Sequence, residues 1–382
     1  MSIVFFKLSA QDSLQQVKNW KIDGYNGYLN SNIFDSIHGD WIIANSFYNR
    51  LNFEYQLTKN VQFNLQMRNR FIYGDLNTPF TGNSIYFETD KGLLKLSKNF
   101  IDKKDIIFNS NIDRVNLKYC FGKHEFQIGR QRINWGQTMV WNPNDIFNAS
   151  SYFDFDYSEK PGSDAFRYQY YSGPASNIEV AVKANADHKL TAAGKILTNK
   201  FGYDFQLLTG IVEEKDYVAG LGWAGNLKNV GFKGEASYFI PTQNSDTLKN
   251  CLSATVSFEY TTSNSMYFLT QVLYTDLRKN QSSNFGGFYL KEPNASNLSI
   301  TEWNLFFMAQ YPVTPLLKVG FSGIYFPKIN VLFCNPSISY SLGENSQFDI
   351  FWQYFIGEIP YSTGLKSNYQ MNLIFLRFRW NF

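Results

Sequence analysis

QMNLIFLRFRWNF, residues 370–382, decides how the rest of the chain is read. Every second residue back from the end is apolar: Phe382, Trp380, Phe378, Leu376, Ile374. Between them stand Asn381, Arg379 and Arg377. A helix repeats every 3.6 residues, whereas strict alternation is the repeat of a strand with one apolar and one polar face. Such a strand, with its terminal Phe, suits the closing strand of a sheet closed in lipid whose polar face lines a wet interior, with a strand of a soluble sandwich as the alternative. The remaining sequence has to separate the two.

Composition narrows the choice. Of 382 residues, 18% are aromatic, with 36 Phe and 25 Tyr, which is rich for a soluble domain and fits strands with aromatic girdles. No apolar run reaches the roughly 18 residues that a spanning helix needs, and mean hydropathy is −0.30. Both follow if half of every strand faces water. At roughly 150 residues per domain the length would suggest two or three units, but all-β barrels exceed that as single domains. The net charge of +3 argues against binding nucleic acid or another polyanion by bulk charge. Cys120, Cys251 and Cys334 are too far apart for a zinc or redox motif, and no cofactor is expected. Residues 1–10, MSIVFFKLSA, read as the end of a signal peptide cleaved after Ala10 or as a disordered tail, leaving 11–382 as one barrel domain.

The same alternation recurs along the chain. In residues 41–58, Phe47, Leu51, Phe53, Tyr55 and Leu57 oppose Tyr48, Arg50, Asn52, Glu54 and Gln56. In residues 60–75, Val61, Phe63, Leu65 and Met67 oppose Gln62, Asn64, Gln66, Arg68 and Arg70. The pattern predicts eighteen strands, or sixteen if the weak pair within 190–212 is miscounted. The even-numbered connections, at 58–60, 122, 172–175, 201–202, 226–229, 261–265, 312–315 and 342–346, are all short. Every long one, including 76–111, 135–163, 278–297 and 358–369, is odd-numbered. Segregation of loop length by parity is what a transmembrane barrel with short periplasmic turns and long extracellular loops requires. The expected fold is therefore all-β: a single antiparallel transmembrane barrel of about eighteen strands.

With the apolar face outward, the polar face predicts a lumen. One wall is basic, with Arg50, Arg68, Arg70, Arg114, Lys118, Arg167, Arg377 and Arg379. The opposite wall is more acidic, with Asp204, Glu235, Glu259, Glu302 and Asp349, and Lys233 and Lys318 among them. The basic wall suits carboxylate, phosphate or sulfate groups, although the charges of the two walls could simply pair and fill the interior. The stretch GRQRINWGQTMVWNPNDIFN, residues 129–148, is the most distinctive loop. Trp135, Trp141 and Pro143 would hold it in a fixed shape, Gly136 would let it bend, and Asn142 and Asp145 favour turns; it could also merely cap the barrel. Asp154, Asp156, Glu159 and Asp164 form a weak calcium candidate without a recognised loop spacing.

These motifs (GRQRINWG, NPNDIFN and the later GSDAFR) together with the last strand resemble a group of porin-like outer-membrane barrels of Gram-negative bacteria related to the alginate-export and phosphate-porin types. The Phe-, Tyr- and Asn-rich style resembles Bacteroidota proteins. The resemblance covers about forty residues plus the closing strand and implies a pore in the outer membrane whose loops fold toward the lumen. It implies contact with outer-membrane lipid, a small hydrophilic solute, and barrel-assembly machinery that reads Phe378, Trp380 and Phe382. An alginate-like polyanion is not implied, because the chain is not strongly basic. The expected function is passive diffusion of small hydrophilic solutes, with anionic groups favoured by the basic wall. The alternative is a non-conducting accessory or plug subunit of a larger export complex with partner subunits. An outer-membrane hydrolase is a weaker third reading, because His38, His124 and His188 lack a nucleophile and acid at motif spacing.

Overall fold

The structure is a computed structural model that describes residues 19–76, 90–149, 152–153, 159–160, 162–243, 249–278, 294–360 and 366–382. Residues 1–10 lie outside them. The chain forms β1 Trp20–Phe34, β2 Ile42–Thr58, β3 Val61–Gly74, β4 Ser97–Lys103, β5 Ile106–Phe121 and β6 His124–Gln131. Next come β7 Ser163–Gly173, β8 Ser176–Ala184, β9 Leu190–Lys200, β10 Tyr203–Val212, β11 Asp216–Leu227, β12 Val230–Pro241 and β13 Cys251–Thr261. The last are β14 Tyr267–Thr275, β15 Trp303–Pro312, β16 Leu317–Phe326, β17 Val331–Ser341, β18 Ser346–Pro360 and β19 Lys366–Asn381. Each wall strand pairs antiparallel with its neighbours, and β19 closes on β1 from Tyr25↔Asn381 to Phe34↔Asn372. Closure leaves no free sheet edge in the wall, which is how a sheet satisfies its backbone in lipid. No helix among the described residues is long and apolar enough to cross a membrane.

Short turns gather at one rim and long connections at the other, as the parity of the sequence predicts. Gly122 (φ +57°) and Gly202 (φ +78°) make two of the tightest turns in a left-handed conformation that costs glycine little. The wall has eighteen strands; β4 is an extra one. The expected irregular stretch 76–111 contains β4 and the start of β5, because β5 begins at Ile106. β5 pairs along its length with β3, while its other edge pairs with β6 from Val115 to Phe121 and with β4 from Ile106 to Asn111. β6 stops at Gln131, where the chain leaves the wall, and β4 fills the gap. Arg130 anchors that patch, bonding Asp164 (2.7 Å), Asp90 (2.6 Å) and the Leu94 carbonyl (2.6 Å). The expected break at 358–369 is also mostly ladder, with pairs continuing out to Pro360↔Lys366.

The outer face is apolar. Leu207, Leu221, Phe258, Phe307, Phe321 and Trp352 are among its exposed side chains, a contiguous surface that only hydrocarbon can accept at this size. Leu221 sits mid-strand on β11 and is 50% exposed. Leu221→Arg should cost about 2–4 kcal/mol of barrel stability in lipid. Urea titration in vesicles, followed by gel migration of the folded form, measures it. An unchanged midpoint would remove Leu221 from the hydrocarbon.

Inside, the barrel is packed rather than hollow toward the long-loop rim. One apolar cluster lines the inner faces of β14 to β19 and β1, including Leu273, Phe306, Phe333, Phe355 and Phe375. A second lies on β7 to β13 and includes Leu208, Val218 and Phe239. Both are closed by one loop, through residues 132–149 and 152–153.

Candidate functional site: an inward-folded loop over a polar cavity

After Gln131 the chain turns into the lumen, because its side chains match both inner clusters. Ile133, Trp135, Ile146 and Phe147 join the β7–β13 cluster, while Val140, Trp141 and Phe153 join the other. Trp135 meets Phe147 edge-on at 4.9 Å, and Phe153 meets Phe333 edge-on at 5.1 Å. The loop therefore bridges the barrel. Polar bonds fix its height. Glu235 on β12 accepts from the backbone N–H of Gln137, of Thr138 (2.7 Å) and of Asn144 (3.0 Å), and from Thr138 Oγ1 (3.0 Å). On β14, Gln271 accepts from Val140 N (3.0 Å) and donates to the Trp141 carbonyl (2.9 Å). Gln206 donates to the Trp135 carbonyl at 3.0 Å, and Lys183 to that of Phe147 at 2.7 Å. Arg114 clamps the far end through the carbonyls of Glu159 (2.9 Å) and Lys160 (2.7 Å).

The motif residues expected in this loop meet here. Asn142 Oδ1 accepts from Thr138 Oγ1 at 3.3 Å. Gly136 lies against the Asn142 side chain, so closely that a Cβ would fall 2.4 Å from Oδ1. Pro143 precedes Asn144, whose side chain bonds the Leu221 carbonyl (3.0 Å) and Ser237 (2.8 Å). Asp145 is fully enclosed, and burial pushes its carboxyl above the usual carboxylate range. Burial likewise raises the Tyr152 phenol, whose hydroxyl donates to Ser322 at 2.9 Å.

The charges expected to line the lumen divide by their partners. Arg50 is 1% exposed and pairs with Asp113, with Gln66 at 2.7 Å and Glu159 at 3.8 Å. Arg68 lies directly across the ladder from Arg50, stacked 5.7 Å over Tyr48. Arg70 follows on the same inner face. Arg167 bonds Glu179 at 2.6 Å, and Arg377 bonds Asp349 at 2.9 Å. Arg379 stacks 4.4 Å over Tyr25, and its Nε and Nη2 have no acceptor among the described residues. Glu259 pairs with Lys233 at 2.7 Å. Asp204 accepts from Asn199 (2.6 Å) beside a short turn. Glu302 was placed on a strand by the sequence pattern; β15 begins one residue later, so Glu302 lies at the long-loop rim, 3.4 Å from Lys328.

Below the loop, toward the short turns, a cavity of about 360 Å³ remains. Its lining is polar throughout, with Glu54, Gln62, Asn64, Arg114, Lys118 and Arg167 among the residues. Arg132 of the loop reaches into it.

Several inner residues were not singled out in the sequence. Asp113 enters the lumen because a register shift opposite Gln66 and Met67 inserts it into β5, and a bulge has no signature in alternation. Glu179, fully buried, holds Arg167, Lys195 (3.0 Å), Gln169 (3.0 Å) and Trp135 Nε1 (2.8 Å). Its inward parity on β8 was visible, but its partners were not. Of the calcium candidates, Asp154 and Asp156 lie outside the described residues. Glu159 accepts from Tyr25 at 2.9 Å, Asp164 is held by Arg130, and no group among the described residues has the donors to hold a metal ion.

No curated protein matches the sequence. A family model described as "Putative MetA-pathway of phenol degradation" matches residues 189–369, fewer than half of the 382. Among solved structures, OccAB2 of Acinetobacter baumannii is similar over 95% of this chain and 98% of its own, with 10% identity and a TM-score of 0.60. OccK9 (OpdG) of Pseudomonas aeruginosa matches 95% of this chain and 99% of its own, with 7% identity and the same TM-score, 0.60. OccK7 (OpdD) of that organism gives 0.57 at 8% identity over 95% and 99%. From a closed antiparallel wall, an apolar outer belt and these likenesses together, the chain has the fold of the outer-membrane porins.

Proposed function

We propose that the protein is a channel of the bacterial outer membrane for passive diffusion of small hydrophilic solutes, with the loop at residues 132–149 as its constriction. The observation that carries this is the polar cavity beneath the loop, inside a wall whose outside is apolar. A barrel that served only as a scaffold has no use for a cavity lined by carboxamides and by charges of both signs, with Arg114, Lys118, Arg132 and Arg167 beside Glu54 and Glu125. In this orientation the short turns are periplasmic and the long loops extracellular. Phe378, Trp380 and Phe382 then stand exposed at the periplasmic rim, where the resemblance to porin-like barrels assigns them to recognition by assembly machinery.

The preferred solutes carry a carboxylate, phosphate or sulfate group. Arg379 supports this, because its guanidinium faces the lumen with donors that no described residue uses, and an anionic oxygen is their natural acceptor. The aromatic floor of Tyr25 and Tyr48 between Arg379 and Arg68 holds both cations in place. In planar bilayers with a salt gradient, the wild type should show stepwise current and an anion-favouring reversal potential. Arg70→Ala/Arg379→Ala should move that potential severalfold toward non-selectivity in permeability ratio; a potential that stays put would sink the anion reading alone. Complete absence of current from a correctly folded barrel would favour the accessory-subunit reading. Catalysis has no comparable support. His124 bonds Tyr168 (2.9 Å) near the short-turn rim, and His38 and His188 stand on exposed turns.

A further inference from the structure

Six asparagines face outward from three adjacent strands: Asn26, Asn30 and Asn32 on β1, Asn45 and Asn49 on β2, and Asn69 on β3. Their register makes them neighbours, with Asn26 opposite Asn49, Asn49 opposite Asn69, and Asn30 opposite Asn45. Their carboxamides form a row of two hydrogen-bonded groups, one above the other. Asn49 donates to Asn26 at 2.8 Å and Asn69 to Asn49 at 3.4 Å. Asn45 accepts from Asn30 (2.9 Å) and Tyr28 (2.7 Å), and Asn32 donates to Asn30 at 2.5 Å. Asn372 on β19, opposite Phe34, also faces outward, and it bonds Trp352 (3.1 Å) and the Asp35 carbonyl (3.4 Å).

The row lies within the apolar belt. Asn49 stands between outward Phe47 and Leu51, and Asn69 between Met67 and Phe71. Each carboxamide has two N–H donors and an oxygen with two lone pairs, and the row uses only part of that capacity. Asn26 and Asn45 donate nothing through Nδ2 to any described residue. Lipid tails cannot satisfy these groups, and leaving them bare in hydrocarbon is costly.

We propose that the outer face of β1, β2 and β3 is a self-association surface on which a second copy of this chain docks in the membrane. Three features single out that occupant. The partner must be embedded at the depth of the row, since a soluble protein cannot reach it. The six side chains carry no charge, so an anionic headgroup finds no cation among them. A carboxamide is both donor and acceptor, so the row is complementary to itself, and a second copy presents it at the matching depth. A two-fold axis along the membrane normal brings Asn49 of each copy together, with Phe47 and Leu51 packing around the pair, as an isologous contact requires.

Cross-linking of the full chain in proteoliposomes tests this. In a Cys120→Ser/Cys334→Ser background, Asn49→Cys should form disulfide-linked dimers on mild oxidation, at least tenfold more than Leu221→Cys on the far wall. Equal cross-linking of the two would overturn the proposal, as would adducts in native membranes formed only with another protein. Native mass spectrometry of detergent-purified protein gives a second readout without cysteines. The wild type should be dimeric, and Asn26→Leu/Asn49→Leu/Asn69→Leu should be a folded monomer, since leucine suits the lipid face. A monomeric wild type, or a leucine variant that stays dimeric, rejects the surface.

Discussion

Glu235→Leu should release the loop from the lumen and raise single-channel conductance severalfold, with frequent switching between levels. Glu235 is 1% exposed and supplies the acceptor for three backbone N–H groups of the loop, those of Gln137, Thr138 and Asn144. An intramolecular hydrogen bond contributes about 0.5–1.5 kcal/mol net, and each buried donor left unsatisfied costs about 1–3 kcal/mol. Losing about 4 kcal/mol from the inserted state is roughly a thousandfold shift toward the released one. The remaining anchors, Gln271, Gln206 and the two apolar clusters, hold the loop less rigidly once its central clamp is gone. The β12 ladder does not involve the side chain, so the barrel itself should keep its heat-resistant migration on gels. Glu235→Gln retains one acceptor oxygen and should fall between the two. Conductance and noise identical to wild type in Glu235→Leu would show that the loop does not limit passage.

The other large effect should come from Glu179→Leu, and it should appear in stability. The carboxylate has no exposed surface and neutralises both Arg167 and Lys195 while accepting from Trp135. Removing one member of a buried charge cluster typically costs about 3–5 kcal/mol, because its partners stay behind uncompensated. Lys195 would suffer most: its ammonium lies 5.4 Å from the Trp135 ring with little else to pair. The midpoint of the heat-induced change in gel migration should drop by several degrees. Adding Lys195→Met should recover much of the loss, since a buried pair exchanged for apolar groups is often close to neutral. A double variant as unstable as the single one would mean that Glu179 acts through Trp135 and the loop, not through charge balance.

Several features were legible in the linear chain because they follow from local periodicity and turn chemistry. The alternation ending in Phe378, Trp380 and Phe382 gave strands with one apolar and one polar face. Loop length by parity set the sidedness and the closed wall. What the alternation could not contain is how the two faces were to be filled. Arg50, Arg68, Arg167 and Arg377 read as a basic wall, but Asp113, Glu179 and Asp349 neutralise three of them. Arg167–Glu179 and Arg377–Asp349 join neighbouring strands, where alternation gives the face but not which charges meet, and Arg50–Asp113 depends on one inserted residue. β4 was invisible for a related reason: it becomes a strand only because β6 ends early and leaves an edge of β5 unpaired.

The largest difference concerns the segment from Trp135 to Phe153. Its tryptophans, Gly136 and its turn residues announced a shaped loop, but a cap over the rim and a bridge through the lumen look alike in sequence. The tertiary structure decides between them because Phe333, Phe355, Leu208 and Phe239 place apolar side chains on the inner face, where a porous barrel would be wet. Those residues need a cover, and only a loop that dives between the walls supplies one. Periodicity together with the parity of loop lengths determined that this chain makes a membrane barrel; the long-range match between two inner apolar surfaces and one loop decided how narrow its interior is.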